Sequence, residues 1–106
     1  MADEYIGTKQ QKLQLSEGTV ILDFYATWCG PCKKLSPLFT KLCEEAKQKG
    51  TQTSFFKVDV DIHEDLTEKY AIDAMPTVLV LVNGKQQERV EGYDPASIEQ
   101  LFASRT

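Results

Sequence analysis

Val20-Ile21-Leu22-Asp23-Phe24-Tyr25-Ala26-Thr27-Trp28-Cys29-Gly30-Pro31-Cys32 is the stretch that decides how this chain is read. Its first half, Val20 to Tyr25, is apolar except at Asp23, the pattern of a strand buried on both faces. Its second half sets two thiols three positions apart, close enough to open and close a disulfide. A helical pattern follows at once, which puts the first cysteine at a helix N-terminus. Unpaired N–H groups there carry partial positive charge and favour a thiolate over a thiol. The thiolate is the form that attacks a disulfide sulfur, so the segment points to thiol–disulfide exchange.

From Cys32 to Lys49 the apolar residues Leu35, Leu38, Phe39, Leu42, Cys43 and Ala46 keep the spacing of an amphipathic helix, which Gly50 ends. Pro37 inside it predicts a kink. Upstream, Tyr5-Ile6 predicts a short edge strand, and Thr8 with Gln11 predicts a capping box opening a short helix. Downstream, Thr53 to Val60 reads as a strand, and Asp61 with Glu64 as the cap of a helix through Tyr70. Thr77 to Val82 reads as a second buried strand. Asn83-Gly84 is a hairpin turn into a strand around Gln86 to Val90. Asp94-Pro95 supplies an N-cap and a first helical residue for a terminal helix. The order β-α-β-α-β-α-β-β-α predicts helix-linked strands in parallel, a last pair antiparallel, and helices over both faces of a mixed sheet.

The 106 residues fit one domain, 1–106, large enough to bury roughly two-thirds of the unfolded surface. No apolar run approaches the ~18 residues of a membrane span. The start, Met1-Ala2-Asp3-Glu4, is acidic, unlike a secretory or mitochondrial targeting segment, and the expected location is cytoplasmic. A net charge of −4 without a basic cluster argues against nucleic acid as a partner. Three cysteines in a reducing compartment fit a reactive pair plus a spare thiol better than a disulfide framework.

The competing reading of the cysteine pair is a metal site. Only Cys43 and His63 remain as thiol or imidazole ligands, and Cys43 lies about 16 Å along the helix axis from Cys32. One tetrahedral site with ~2.3 Å Zn–S bonds does not span that distance. Cys43 falls on the apolar stripe and reads as a buried, inert thiol. His63 reads as solvated. Asp59, Asp61, Glu64 and Asp65 lack the central glycine and terminal glutamate of a calcium loop, and read as a helix N-terminus with a solvated face.

Ala26-Thr27-Trp28-Cys29-Gly30-Pro31-Cys32-Lys33 resembles the active site of the thioredoxin family. The resemblance extends in order and spacing to Asp23, Lys57, Met75-Pro76-Thr77, Gly84 and Gly92. It implies an α/β, thioredoxin-like three-layer sandwich, with a mixed sheet of about five strands covered by about four helices. It also implies a protein-disulfide reductase in which Cys29 attacks, forming a mixed disulfide, and Cys32 resolves it. Cys29 precedes the helix and is expected to be exposed, with Cys32 more enclosed. Gly30-Pro31 places no charge or donor between the cysteines, which favours a reductant over an oxidase or isomerase.

Asp23 is costly when charged in an apolar strand, so its pKa should rise. The resemblance makes it the proton shuttle for Cys32, with Lys57 paired beside it. Met75-Pro76 matches the family's cis-proline position, whose backbone can add to an extended substrate segment. Trp28, partly buried, would join Gly30, Pro31, Met75, Pro76 and Gly92 in a flat, mostly apolar docking surface. Glu91 and Tyr93 depart from the family pattern there and bear on partner preference. Tyr25 stands where some members carry tryptophan.

The resemblance further implies no bound cofactor and no metal, with electrons drawn indirectly from NADPH through thioredoxin reductase. The expected partners are that reductase and disulfide-containing targets, peroxiredoxins and other reductases among them, with no nucleic acid or membrane and a monomeric state. A binding module whose affinity is switched by redox state is the competing reading from another class.

Overall fold

The computed structural model describes residues 2–106. In chain order the elements are β1 (Asp3–Glu4), α1 (Lys9–Leu15), β2 (Thr19–Tyr25), α2 (Gly30–Gln48), β3 (Ser54–Asp59), α3 (Glu64–Lys69), β4 (Thr77–Val82), β5 (Lys85–Glu91) and α4 (Pro95–Arg105). The strands form one mixed sheet in the order β1-β3-β2-β4-β5. β2 occupies the middle, and its side chains alternate between two cores, as the strand period of two requires. Val20, Leu22 and Phe24 pack with Leu15 of α1 and Leu66 of α3 on one face. Ile21 packs with Leu35 and Phe39 of α2 and with Ile98 and Phe102 of α4 on the other. The continuous apolar run of β2 is the sequence form of this two-sided burial.

β1 pairs with β3, and β3 with β2, in parallel, as expected. β4 corrects the expectation for helix-linked strands, because it runs antiparallel to β2 as well as to β5. The connection is the reason. α3 has only six residues, about 9 Å of helix, against about 20 Å for a six-residue strand. The chain therefore enters β4 from the end of the sheet at which it left β3.

The edge strand also lies earlier than Tyr5-Ile6. Asp3 and Glu4 pair through their backbones opposite Phe56 and Lys57, so this strand needs no apolar residues. Tyr5 turns its ring into the core, edge-on to Phe56 and His63, while Ile6 is exposed. Thr8 caps α1 by accepting from the Gln11 N–H at 3.1 Å. The Gln11 side chain reaches past the cap to the N–H groups of Ile6 and Gly7.

α2 begins at Gly30, two residues before the expected start at Cys32, with Pro31 in its first turn, and runs unbroken through Pro37. It ends in a Schellman arrangement: Gly50 has φ +81°, its N–H donates to Lys47 O, and Thr51 N–H donates to Ala46 O. α3 is capped at His63 without a side-chain bond, in place of the expected Asp61. Asn83 and Gly84, with φ 52° and 82°, form the primed hairpin turn that the Asn-Gly pair predicts. Asp94 caps α4 by accepting from the Ser97 N–H at 3.2 Å.

Candidate active site

Strand β2 delivers Asp23 and then the cysteines to one end of the sheet. Because β4 is antiparallel, its entry brings Met75 and Pro76 to the same end. Cys29 is the N-cap of α2, and its sulfur accepts the Cys32 N–H at 3.1 Å. The two cysteines form a disulfide with a Cα–Cα separation of 5.3 Å. The expected contrast in exposure is absent in this oxidised state, since each is 5% exposed. The disulfide turns both sulfurs into the same crevice, and only chain position distinguishes the cap from the first turn.

Cys29 Sγ lies 3.8 Å from the carbonyl oxygen of Met75. The Met75-Pro76 peptide bond is cis. Thr77 fixes this approach from behind, its hydroxyl donating to Ala74 O at 2.6 Å. On the other side, Gly92 N–H donates to Pro76 O at 2.7 Å, which joins the start of β4 to the end of β5. Cys29, Met75, Pro76 and Gly92 thus come together as the sequence motif implies. Gly30 and Pro31 are exposed at the head of α2 beside them.

Trp28 is 66% exposed, more than the partial burial expected of it. It is nonetheless held, because its indole N–H donates to Asp61 Oδ2 at 3.0 Å. Asp61 in turn is fixed by Asp59, whose carboxylate accepts the Asp61 N–H at 2.9 Å. Asp59 is buried, correcting its reading as part of a solvated face. The sequence reading gave Asp61 to a helix cap and missed this role. His63 is half-buried rather than solvated, with Nε2 bonded to Tyr5 O at 2.8 Å.

Asp23 is 1% exposed, and neither carboxyl oxygen has a hydrogen-bond partner. Burial pushes its pKa up to about 7, against the lowering pull of Lys57 and with an added upward push from Glu4. Lys57 is its register partner on β3 but does not hydrogen-bond to it. The Lys57 ammonium lies 4.7 Å over the Tyr25 ring and donates to Ser36 Oγ of α2 at 3.0 Å. The expected direct pair is therefore a through-space one. Tyr25 donates to Glu4 Oε2 at 2.6 Å, and burial followed by that bond raises its pKa. A cavity of about 220 Å³, lined by Tyr25, Thr27, Cys32, Lys33, Ser36 and Lys57, opens beside the disulfide.

Cys43 is free and fully buried, and burial pushes its thiol up to about 12. Among the described residues no cluster of three or more His, Cys, Asp or Glu side chains is placed to hold a metal ion. Among the same residues no helix is long and apolar enough to cross a membrane. The arrangement supplies a redox-active cysteine pair, a helix N-terminus behind the first sulfur and a buried acid.

Comparison with known proteins agrees with this geometry. The sequence profile of the Thioredoxin family matches residues 6–104. Thioredoxin-1 of Saccharomyces cerevisiae is 45% identical over 85 residues, covering 80% of this chain and 79% of the relative. The crystal structure of Malassezia sympodialis thioredoxin superposes with a TM-score of 0.86 at 33% identity, covering 98% of this chain and 90% of that one. A structure concerned with thiol resolution in yeast mitochondrial 1-Cys peroxiredoxin through the glutathione and thioredoxin systems superposes with a TM-score of 0.81 at 28% identity, covering 97% and 94%. The sheet order, the cysteine pair and the match over nearly the whole length agree: this chain belongs to the thioredoxin family and is a thiol–disulfide oxidoreductase.

Proposed function

We propose that this chain, folded as one domain, is a cytoplasmic protein-disulfide reductase that works as a monomer and donates electrons to a range of targets. Cys29 is the nucleophile. Its thiolate attacks one sulfur of a target disulfide, forming a Cys29–target bond as the target S–S bond breaks. The released target sulfur leaves as a thiolate and takes a proton from solvent. Cys32 then passes its thiol proton to Asp23 and attacks Cys29 Sγ. That closes the Cys29–Cys32 disulfide and expels the second target sulfur. That second sulfur also leaves as a thiolate and takes a proton, from Asp23 or solvent. The target has then gained two electrons and two protons. The cysteine pair has given up two electrons and the Cys32 proton, the Cys29 proton having left when its thiolate formed.

Lys57 moderates the charge on Asp23 during this step. Trp28, Gly30, Pro31, Met75, Pro76 and Gly92 form the docking surface, with the Met75 carbonyl beside Cys29 as a guide for an extended segment. Electrons return from NADPH through a thioredoxin reductase, and the chain holds no cofactor of its own. The peroxiredoxin context of one structural neighbour supports peroxidases among the clients. The observation that carries the reading is Cys29 as a sulfur cap on α2, with only Gly30-Pro31 before Cys32. That insert adds no group that would make the pair oxidising.

The test is Cys32→Ser together with the reduction potential of the unaltered pair. A reductase variant accumulates a covalent Cys29–target species, visible on non-reducing gels, and the unaltered pair equilibrates near thioredoxin's own value of about −270 mV. Undiminished partner affinity with no trapped species identifies a binding module instead. A potential near about −180 to −120 mV identifies an oxidase or isomerase.

A further inference from the structure

Ser36 sits one helical turn beyond Cys32 on α2 and is half-buried on the wall of the cavity beside it. Its hydroxyl oxygen accepts from the Lys57 ammonium at 3.0 Å, tying α2 to β3 across that cavity. The same ammonium is the nearest cation to Asp23 in the register of the sheet, yet Asp23 keeps both oxygens unpartnered. A buried carboxyl within the reach of a flexible lysine ordinarily captures it. Here two contacts hold the lysine elsewhere, the Tyr25 ring and Ser36. The Tyr25 ring follows from β2 itself, and Ser36 is the added restraint.

We propose that Ser36 is a positioning residue that holds Lys57 away from Asp23, leaving the carboxyl free to exchange a proton with Cys32. This deepens the acid–base reading of Asp23 and rests on it. If the Asp23–Lys57 pair closed, the carboxylate would be locked in its ionised, hydrogen-bonded form and would be a poorer proton acceptor. With the lysine on Ser36, the carboxyl feels a positive charge without a bond, and the proton can come and go. The charged and titratable groups that bear on Asp23 are Lys57 on β3, Glu4 on β1, Tyr25 on β2 and Cys43 on α2. Its β4 neighbour is the apolar Val78. Of these, only Lys57 carries a positive charge, so releasing it has one direction of effect.

The experiment follows the Asp23 carboxyl carbon by NMR across pH 4 to 10 in the oxidised protein, where no cysteine titrates in the active site. Ser36→Ala removes the acceptor and improves helix propensity, so α2 is not at risk. The expected result is a titration midpoint lowered by about half to one pH unit, the scale of drawing a unit positive charge into hydrogen-bond range in a screened interior. Ser36→Thr keeps the oxygen and keeps the unaltered midpoint. In a Lys57→Met background, Ser36→Ala has no further effect. A midpoint unchanged by Ser36→Ala, or moved equally in the Lys57→Met background, overturns the proposal. The reading beneath it is tested separately. If Asp23→Asn leaves the pH dependence of Cys32 alkylation in the reduced protein unmoved, the acid–base role of Asp23 fails, and the functional half of this proposal fails with it. The NMR midpoints still report where Lys57 is held.

Discussion

Replacing Asp23 by Asn should make the oxidised protein more stable, and increasingly so as the pH rises. The carboxyl titrates near its usual 3.8 in the unfolded chain and at about 7 in the folded one, because burial disfavours its charged form. Below about pH 4 both states hold the proton, and the group does not discriminate between them. Between about pH 4 and 7 the unfolded chain ionises while the folded chain does not, so rising pH favours unfolding. Above about pH 7 the loss is complete. The difference between 3.8 and about 7, at about 1.4 kcal/mol per pH unit, gives about 4 kcal/mol. A neutral carboxyl and an amide have similar costs of burial, so the variant should match the parent at pH 4. Its advantage should grow to about 4 kcal/mol at pH 8. Urea unfolding of both proteins at half-unit pH steps measures this, and taking the difference cancels every group common to the two. A difference that stays within about 1 kcal/mol across the range would refute the burial argument. A difference already large at pH 4 would mean that the site rejects the carboxyl for its shape rather than its charge.

Phe39 is fully buried and meets Phe102 edge-on at 5.6 Å, so Phe39→Ala should cost about 3–5 kcal/mol in the same unfolding assay. A loss under about 1 kcal/mol would mean that α2 and α4 collapse onto the gap. With its thiol pushed up to about 12, Cys43 holds about one part in ten thousand as thiolate at pH 8. An aromatic disulfide reagent should therefore titrate two thiols quickly in the reduced native protein and the third only in denaturant. A fast third equivalent would contradict its burial.

The parts of the fold carried by side-chain periodicity were legible in the sequence. β2, β4 and α2 are defined by apolar runs or stripes, and the turn at Asn83-Gly84 by a residue pair that accepts positive φ. β1 was not, because Asp3 and Glu4 join the sheet through backbone bonds alone. The direction of β4 depends on how far α3 carries the chain, a length that residue pattern does not encode. In the site, the cysteine pair and the burial of Asp23 followed from spacing and polarity. The cis bond at Pro76 came from family resemblance and not from the residues. Lys57 was expected on Asp23 because the two are cross-strand neighbours. Its long stem instead carries the ammonium to Ser36 on a helix, a contact between residues 21 apart in sequence. Ser36 carried no signal, since a serine on a helix commonly faces water.

The antiparallel course of β4 also divides the molecule lengthwise. The chemistry occupies one end of the sheet, while the Asn83-Gly84 turn, Gly18 and the Gly50 exit of α2 occupy the other. That far end is fastened on its own, with Gly18 N–H donating to Asn83 Oδ1 at 2.9 Å and Asn83 N–H to Gly18 O at the same distance. A handle introduced at Gln52, the exposed residue just after Gly50, would therefore point away from the cysteine pair. Anchored there to a bead or an electrode, the protein would present its disulfide outward to whatever substrate the solution holds.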